Sequence, residues 1–154
     1  MNNRRRVLLK GTLAAGTVGV AVGAGLLTPS TVLAEAREDF KEGSMDEILN
    51  RAMGSDRHEE GHVRVDAPDI AENGAVVPVT VESDLDGVTE IAILAAANDT
   101  PLTSRYELGE GTHPSISSRI KMGESSDIVA VVKNGDGLYS GSKEVKVTIG
   151  GCGG

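Results

Sequence analysis

Aromatic residues are almost absent from this 154-residue chain, which has two tyrosines, one phenylalanine and no tryptophan. Proteins that stack nucleic-acid bases or sugars on aromatic side chains are therefore poor models for its function. Basic residues are also scarce, with 15 lysines and arginines against 23 aspartates and glutamates. Because phosphate contacts need clustered positive charge, the formal charge of −8 argues against nucleic acid as a partner.

The chain has a single cysteine, Cys152. One cysteine excludes an intramolecular disulfide and an all-cysteine metal cluster within the chain. The 20 glycines are unevenly distributed: five lie between positions 11 and 25, and four lie among the last five residues, around Cys152. The length fits one domain, since compact domains usually have roughly 100–150 residues.

Residues 1–34 have the features of an export signal. A basic start, which includes Arg5 and Arg6, precedes a weakly apolar stretch rich in glycine and alanine, and no acidic residue occurs before Glu35. This order is typical of a secretory signal, whereas five glycines make the stretch a poor membrane span. Residues 5–10 also resemble the twin-arginine export motif, with leucine at a position where phenylalanine is commoner.

Cleavage of this signal is expected after Ala34, with Ala36 as the alternative. The signal contains four of the basic residues and no acid, so the mature chain has 11 basic and 23 acidic residues, a net charge of −12 over 120 residues. The predicted location is a periplasm, reached by the twin-arginine pathway, without a membrane anchor after cleavage. Disulfides form in that compartment, which makes a lone cysteine notable.

Residues 35–62 are expected to form a helical N-terminal segment. The first part of this segment is rich in Glu, Ala, Lys, Met and Leu, and Ser44 precedes Glu47 by three residues in a capping-box pattern. One or two short helices are predicted, interrupted near Gly43 and stopped by Gly54.

Residues 63–149 change to a period of two, which is typical of strands with one buried face. Asn, Asp and Gly clusters between the apolar runs are turn signals. The spacing predicts a mainly β fold, a single immunoglobulin-like antiparallel sandwich of about seven strands. Pro78 is expected on an edge or at a bulge, because it cannot donate to a ladder. The predicted strands are residues 63–65, 76–81, 89–94, 103–108, 115–122, 128–133 and 144–149.

The first candidate site is residues 58–62, His-Glu-Glu-Gly-His, which match the zinc-protease pattern His-Glu-x-x-His. That chemistry needs both histidines on one helical face, with the glutamate beside the metal-bound water. Gly61 inside the motif and the strand predicted from Val63 disfavour such a helix. We therefore expect a solvated connector here and no metal.

The second candidate is a carboxylate set, Asp84, Asp86 and Glu90, near Gly87. These oxygens could bind calcium, but they lack the spacing and the distal glutamate of the helix-loop-helix site. A solvated turn is expected. His113 lies in a loop with no neighbour that marks it as a base, and no cofactor is expected.

The third candidate is the C-terminus, residues 150–154. Val145, Val147 and Ile149 alternate with polar residues, so a half-buried last strand should hold the root of this segment. Five residues reach at most about 17 Å, and glycine is the most permissive backbone unit. The segment is built as a flexible arm that can bring a thiol into a narrow tunnel of another protein. Its residues are Gly150, Gly151, Cys152, Gly153 and Gly154.

This arm, preceded by residues 143–149, resembles the C-terminus of the SoxY family, the sulfur-carrying subunits of the SoxYZ complex of bacterial thiosulfate oxidation. The leader and residues 70–79 are similar to that family too. The resemblance implies a substrate carrier rather than an enzyme, with Cys152 as the covalent sulfur attachment site. It also implies SoxZ as an obligate partner, which suits the thin, aromatic-poor core.

The resemblance further implies transient contacts with three enzymes. In this family, the haem protein SoxXA joins thiosulfate oxidatively to the arm cysteine, and SoxB releases sulfate by hydrolysis. SoxCD, where present, oxidises the remaining sulfane sulfur. An unperturbed thiol has a pKa of about 8.5, no basic residue flanks Cys152 closely, and the terminal carboxylate is two residues away. Cys152 is therefore predicted to be a modest nucleophile that partner active sites activate.

Two other interpretations stay open. A C-terminal Gly-Gly resembles ubiquitin-like sulfur carriers, which hold sulfur as a thiocarboxylate on the last glycine. Their activation uses ATP in the cytoplasm, whereas this chain has an export signal. A structural β-sandwich adaptor would explain the body of the protein but not the arm.

Overall fold

The computed structural model describes residues 38–149. The predicted export signal with Arg5 and Arg6, both cleavage sites, and the arm with Cys152 lie outside the described residues. The elements are helix α1 (Met45–Met53) and strands β1 (Glu59–Glu60), β2 (Val63–Asp66), β3 (Ile70–Ala71), β4 (Val77–Ser83), β5 (Glu90–Ala95), β6 (Leu102–Glu107), β7 (Ser115–Ile120), β8 (Ser126–Lys133) and β9 (Leu138–Val147).

Two β-sheets pack face to face. The larger sheet has the order β1-β9-β8-β5-β6, with β3 also pairing with β9, and the smaller sheet has the order β2-β4-β7. Neighbouring strands are antiparallel except for β1 and β3, which pair with β9 in parallel. This arrangement confirms the predicted mainly β, immunoglobulin-like antiparallel sandwich, and all seven predicted strands are present in it.

Aliphatic side chains from both sheets fill the space between them. Strand β4 alternates between buried and more exposed residues and directs Val77, Val79 and Val81 into this core. Facing them are Ile91 and Ile93 of β5. The alternation that predicted β4 from the sequence is therefore the alternation of a sheet with one covered face.

Helix α1 covers the opposite face of the larger sheet. The Ser44 hydroxyl oxygen accepts a hydrogen bond from the Glu47 amide at 3.3 Å, and the Glu47 carboxylate accepts one from the Ser44 amide at 3.0 Å. Gly54 ends the helix with φ 82°. The predicted capping box and stop are both confirmed. The buried residues of α1 form a second hydrophobic cluster with the larger sheet: Ile48, Leu49, Ala52 and Met53 pack with Ala92, Leu94, Leu102, Val131 and Leu138.

Three features differ from the sequence-based expectation. Residues 55–62 are not helical, because Glu59–Glu60 add to the larger sheet beside Tyr139 and Ser140. Strand β9 begins at Leu138, earlier than predicted, because Ser140, Gly141 and Ser142 show no apolar alternation in the sequence even though burial alternates along the strand. Ile149, expected on the half-buried face, lies beyond the end of β9 and is 66% exposed.

Pro78 lies on β4, the middle strand of the smaller sheet. Strand β2 pairs with β4 only from Thr80 onward, so Pro78 has a neighbouring strand on one side, β7, where it is opposite Arg119. The missing N–H is tolerated at this locally unpaired stretch. Within residues 38–149, no helix has the length and apolarity that crossing a lipid bilayer requires.

Candidate functional site

The last described residues, Lys146–Ile149, lead directly into the arm and are called the arm root here. Strand β3 bonds the arm root along one side. The Lys146 amide donates to the carbonyl oxygen of Asp69 at 3.0 Å, and the Thr148 amide donates to the carbonyl oxygen of Ala71 at 3.1 Å. The arm root is therefore part of the sheet rather than a loose tail.

A serine side chain bonds the other side of the arm root. The ladder between β8 and β9 ends at the pair Ser126 and Val145. Beyond that pair, the Ser125 hydroxyl accepts a hydrogen bond from the Val147 amide at 2.8 Å and lies 3.4 Å from the Val147 carbonyl oxygen. Because β8 no longer pairs with β9 here, the Ser125 hydroxyl takes the place of a backbone acceptor on β8.

The turn after β3 bonds the final two residues of the arm root. The Thr148 hydroxyl donates to the carbonyl oxygen of Glu72 at 3.1 Å, and the Gly74 amide donates to the carbonyl oxygen of Ile149 at 2.8 Å. Gly74 in turn accepts a hydrogen bond from the amide of Met122, a fully buried residue, at 2.7 Å. One residue, Gly74, therefore connects the last described carbonyl group to the core.

Exposed apolar side chains lie on the segments that form the arm root and its partners. Four large hydrophobic residues are exposed within residues 38–149, and three of them are Ile70 (58%), Val76 (54%) and Ile149 (66%). Ile70 is on β3, Ile149 ends the arm root, and Val76 follows the turn that bonds it. Three of the four exposed large hydrophobic side chains of the described residues therefore lie on the segments around this end of β9.

Charged groups lie beside the same end of β9. A shallow cleft of about 330 Å³ is lined by Asp69, Ile70, Lys143, Glu144 and Lys146. Asp69 and Lys143 form an ion pair. Their hydrogen bond lowers the pKa of the Asp69 carboxyl and raises the pKa of the Lys143 ammonium.

The two histidines of the His-Glu-x-x-His match have different partners. His58 Nδ1 lies 2.7 Å from the hydroxyl oxygen of Ser140, whereas His62 Nδ1 lies 2.8 Å from a carboxylate oxygen of Asp84. The glutamates between them are in β1, so no helical face brings the histidines together. Within the described part of the chain, no three His, Cys, Asp or Glu side chains are grouped in a way that could hold a metal ion.

The predicted carboxylate set is divided between two environments. Asp84 is an exposed partner of His62, and Gly87 has the positive φ of a turn at 65°. Glu90, in contrast, lies on β5 with its side chain only 14% exposed and contacts two basic groups. The expectation of a solvated turn is therefore wrong for Glu90. His113 is an exposed loop residue, as expected.

Glu90 belongs to a charge cluster that the sequence did not reveal. Arg105 Nη2 lies 2.7 Å from Glu90 Oε2, and Arg105 Nη1 lies 2.8 Å from Asp39 Oδ2. Lys133 Nζ contacts Glu90 Oε1 and the carbonyl oxygen of Met53, both at 3.1 Å. Burial opposes the charge of Arg105, but Glu90 and Asp39 outweigh this effect and raise its pKa. The cluster fastens the N-terminal segment to the sheet.

Residues 49–152 match the family model described as sulfur oxidation protein SoxY. The structure is similar to that of the sulfur carrier protein SoxY from Chlorobium limicola f thiosulfatophilum, with a TM-score of 0.62 and 33% sequence identity. The similarity covers 78% of this chain and 100% of the Chlorobium chain. Among curated protein sequences, none matches this chain.

The superoxide reductase (neelaredoxin) from Ignicoccus hospitalis has a similar fold, with a TM-score of 0.51 and 17% identity over 56% of this chain and 80% of its own. At this identity the likeness concerns the fold alone. The family model spans most of the chain, and the Chlorobium carrier matches the described sandwich in both sequence and structure. On this evidence the chain belongs to the SoxY family of sulfur carrier proteins.

Proposed function

We propose that this protein carries sulfur intermediates covalently on Cys152 during thiosulfate oxidation. One observation carries the proposal: the match to the SoxY family model extends through residue 152, the only cysteine of the chain. The arm root supports it, because hydrogen bonds hold the chain up to Ile149 and five residues with four glycines follow. A thiol attached beyond a fixed base suits a carrier that visits several enzymes.

The proposed cargo is first an S-thiosulfonate. The sulfur of the Cys152 thiolate bonds to the outer sulfur of thiosulfate, and the two electrons released pass to the haem partner SoxXA. Water then attacks the terminal sulfone group, the S–S bond to it breaks, and sulfate and two protons leave a persulfide on Cys152. SoxB is the proposed hydrolase, and SoxCD is the proposed oxidant of the remaining sulfur.

We also propose that SoxZ forms a heterodimer with this chain and that the complex works in the periplasm after twin-arginine export through Arg5 and Arg6. Ile70, Val76 and Ile149 support contact with other proteins at this end of β9, because they are exposed apolar side chains on neighbouring segments, and such side chains favour association. In this proposal the partner enzymes supply the catalytic groups and the chain supplies the attachment site.

The direct test is the intact mass of the protein purified after growth on thiosulfate. Added masses of a thiosulfonate or a persulfide on a peptide that contains Cys152 are the expected result. Cys152→Ser should lose these adducts together with thiosulfate-dependent turnover. Gly135→Ala, which keeps the thiol and has free space around the added methyl group, is the matched control. Full turnover by the serine variant would end the carrier proposal.

A structural adaptor is the alternative that the fold alone would allow. Removal of residues 150–154 separates the two functions, because the described sandwich ends before the arm. A carrier should keep its partner in pull-down experiments and lose all sulfur transfer. An adaptor should keep both its partner and its function.

A further inference from the structure

We propose that Asp69–Gly74 and Ser125, together called the root clamp, fix the pivot of the arm at the bond between Ile149 and Gly150. The inference rests on the proposed carrier function, to which it adds positioning residues. In this arrangement, Ser125 and Thr148 set how far Cys152 can travel from the sandwich. Neither residue takes part in sulfur chemistry.

The root clamp bonds every residue of the arm root. The Lys146 and Thr148 amides donate to the carbonyl oxygens of Asp69 and Ala71, and the Val147 amide donates to the Ser125 hydroxyl. The Ile149 carbonyl accepts from Gly74. Hydrogen bonds on two sides of a strand restrict its bending, so the chain is held through Ile149, the last described residue.

Two of these bonds depend on side chains rather than on the sheet ladder. Strand β8 no longer pairs with β9 after Val145, so the Ser125 hydroxyl is the partner that keeps Val147 in line. The Thr148 hydroxyl ties the next residue to the carbonyl oxygen of Glu72. Val147 still packs against the core, whereas Thr148 and Ile149 are exposed, so hydrogen bonds rather than side-chain burial hold the last two residues of the arm root.

The pivot position determines the length of the tether. Cys152 is three residues beyond Ile149, a reach of about 10 Å at ~3.4 Å per residue. If the chain came free from Lys146 onward, the last fixed residue would be Val145, Cys152 would be seven residues beyond it, and the reach would be about 24 Å. The local concentration of a tethered group falls roughly as the −3/2 power of tether length, so lengthening the tether from three residues to seven dilutes the thiol roughly three- to fourfold.

The test compares the double variant Ser125→Ala, Thr148→Val with the wild-type full chain. Amide hydrogen exchange measured by NMR should show protected Val147 and Thr148 amides in the wild type and at least tenfold faster exchange in the double variant. Thr148→Ser, which keeps the hydroxyl, should restore the protection of Thr148. Thr103→Val is the matched control, because it removes the similar bond from a threonine hydroxyl to the carbonyl oxygen of Ile93, on β5 rather than at the arm root.

A nitroxide label on Cys152 gives the second measurement and needs no engineered cysteine. Paramagnetic broadening should be confined to amides near the arm root in the wild type and in Thr103→Val, and it should extend over more of the sandwich in the double variant. The proposal is overturned if wild-type Val147 and Thr148 exchange as fast as Gly151, or if the double variant gives the wild-type broadening map. Neither measurement depends on sulfur transfer. The root-clamp proposal can therefore fail while the carrier proposal holds, or the reverse.

Discussion

The carbonyl oxygen of Val63 lies directly against Gly141, so close that a Cβ atom on residue 141 would collide with it. Val63 is the first residue of β2, where the chain leaves the larger sheet and enters the smaller one. Gly141 is in the middle of β9, the strand that leads to the arm. The crossing between the sheets is therefore possible only over a residue without a side chain.

Gly141→Ala should destabilise the protein substantially. The obstacle is a backbone carbonyl group, which cannot rotate away as a side chain could. We expect a loss of about 2–3 kcal/mol in the free energy of unfolding, typical of an overpacked core, and a fall in Tm of roughly 10 °C. Gly135→Ala is the control, because open space surrounds that glycine. Equal stability of the two variants in urea unfolding would contradict this account.

Glu90→Gln should weaken the attachment of the N-terminal segment. The substitution keeps the size of the side chain but removes the negative charge between Arg105 and Lys133. Removing one partner from a largely buried ion pair should cost about 2 kcal/mol. Glu107→Gln, an 80% exposed carboxylate that is 3.8 Å from the same guanidinium group, should cost below about 0.5 kcal/mol. Chemical denaturation of both variants measures the difference.

The cap of α1 should lose strength in acid. Hydrogen bonds from the backbone and side chain of Ser44 lower the pKa of Glu47 from its ordinary value of 4.5. Because the folded-state pKa is the lower one, the stabilisation is complete above pH 4.5 and is lost as the pH falls through the folded pKa. The stability difference between wild type and Glu47→Gln should therefore shrink between about pH 6 and pH 3. A constant difference across this range would exclude the cap as its source.

Cys152 should react with iodoacetamide no faster than the thiol of a synthetic peptide with the same ten C-terminal residues. Residues 150–154 include no basic residue, so nothing in this segment favours the thiolate. Alkylation rates followed by mass spectrometry at several pH values provide the comparison. A markedly faster protein would show that its sandwich, rather than a partner enzyme, activates the thiol.

Parts of the fold with one buried face were predictable from the sequence. Val77, Val79 and Val81 alternate because β4 has one face in the core, and Ser44 and Glu47 signal a helix start through local hydrogen bonds. Strand β5 was recognisable only as an apolar run, because α1 and the smaller sheet bury both of its faces. Periodicity then carries no information about which side chain faces which layer.

Other parts depend on contacts between residues that are far apart in sequence. Glu90 appeared to belong to a solvated turn, and only the approach of Arg105 and Lys133 makes it a buried anchor. Strands β1 and β3 have two residues each, too few for any pattern. The role of the turn at Gly74 also depended on the position of β9. The chemistry of the arm can be inferred from residues 150–154 and from the family resemblance, because neither depends on the three-dimensional fold.

The attachment of the arm to β9 has a mechanical consequence. In the proposed carrier function, a pull on Cys152 that acts along the axis of β9 would load a strand bonded to β8 along one edge and to β1 and β3 along the other. A force along a strand loads its cross-strand hydrogen bonds together in shear instead of peeling them apart one at a time. A pull on the C-terminal end of β9 is therefore resisted by all of these bonds at once, which protects this end of the fold from unravelling.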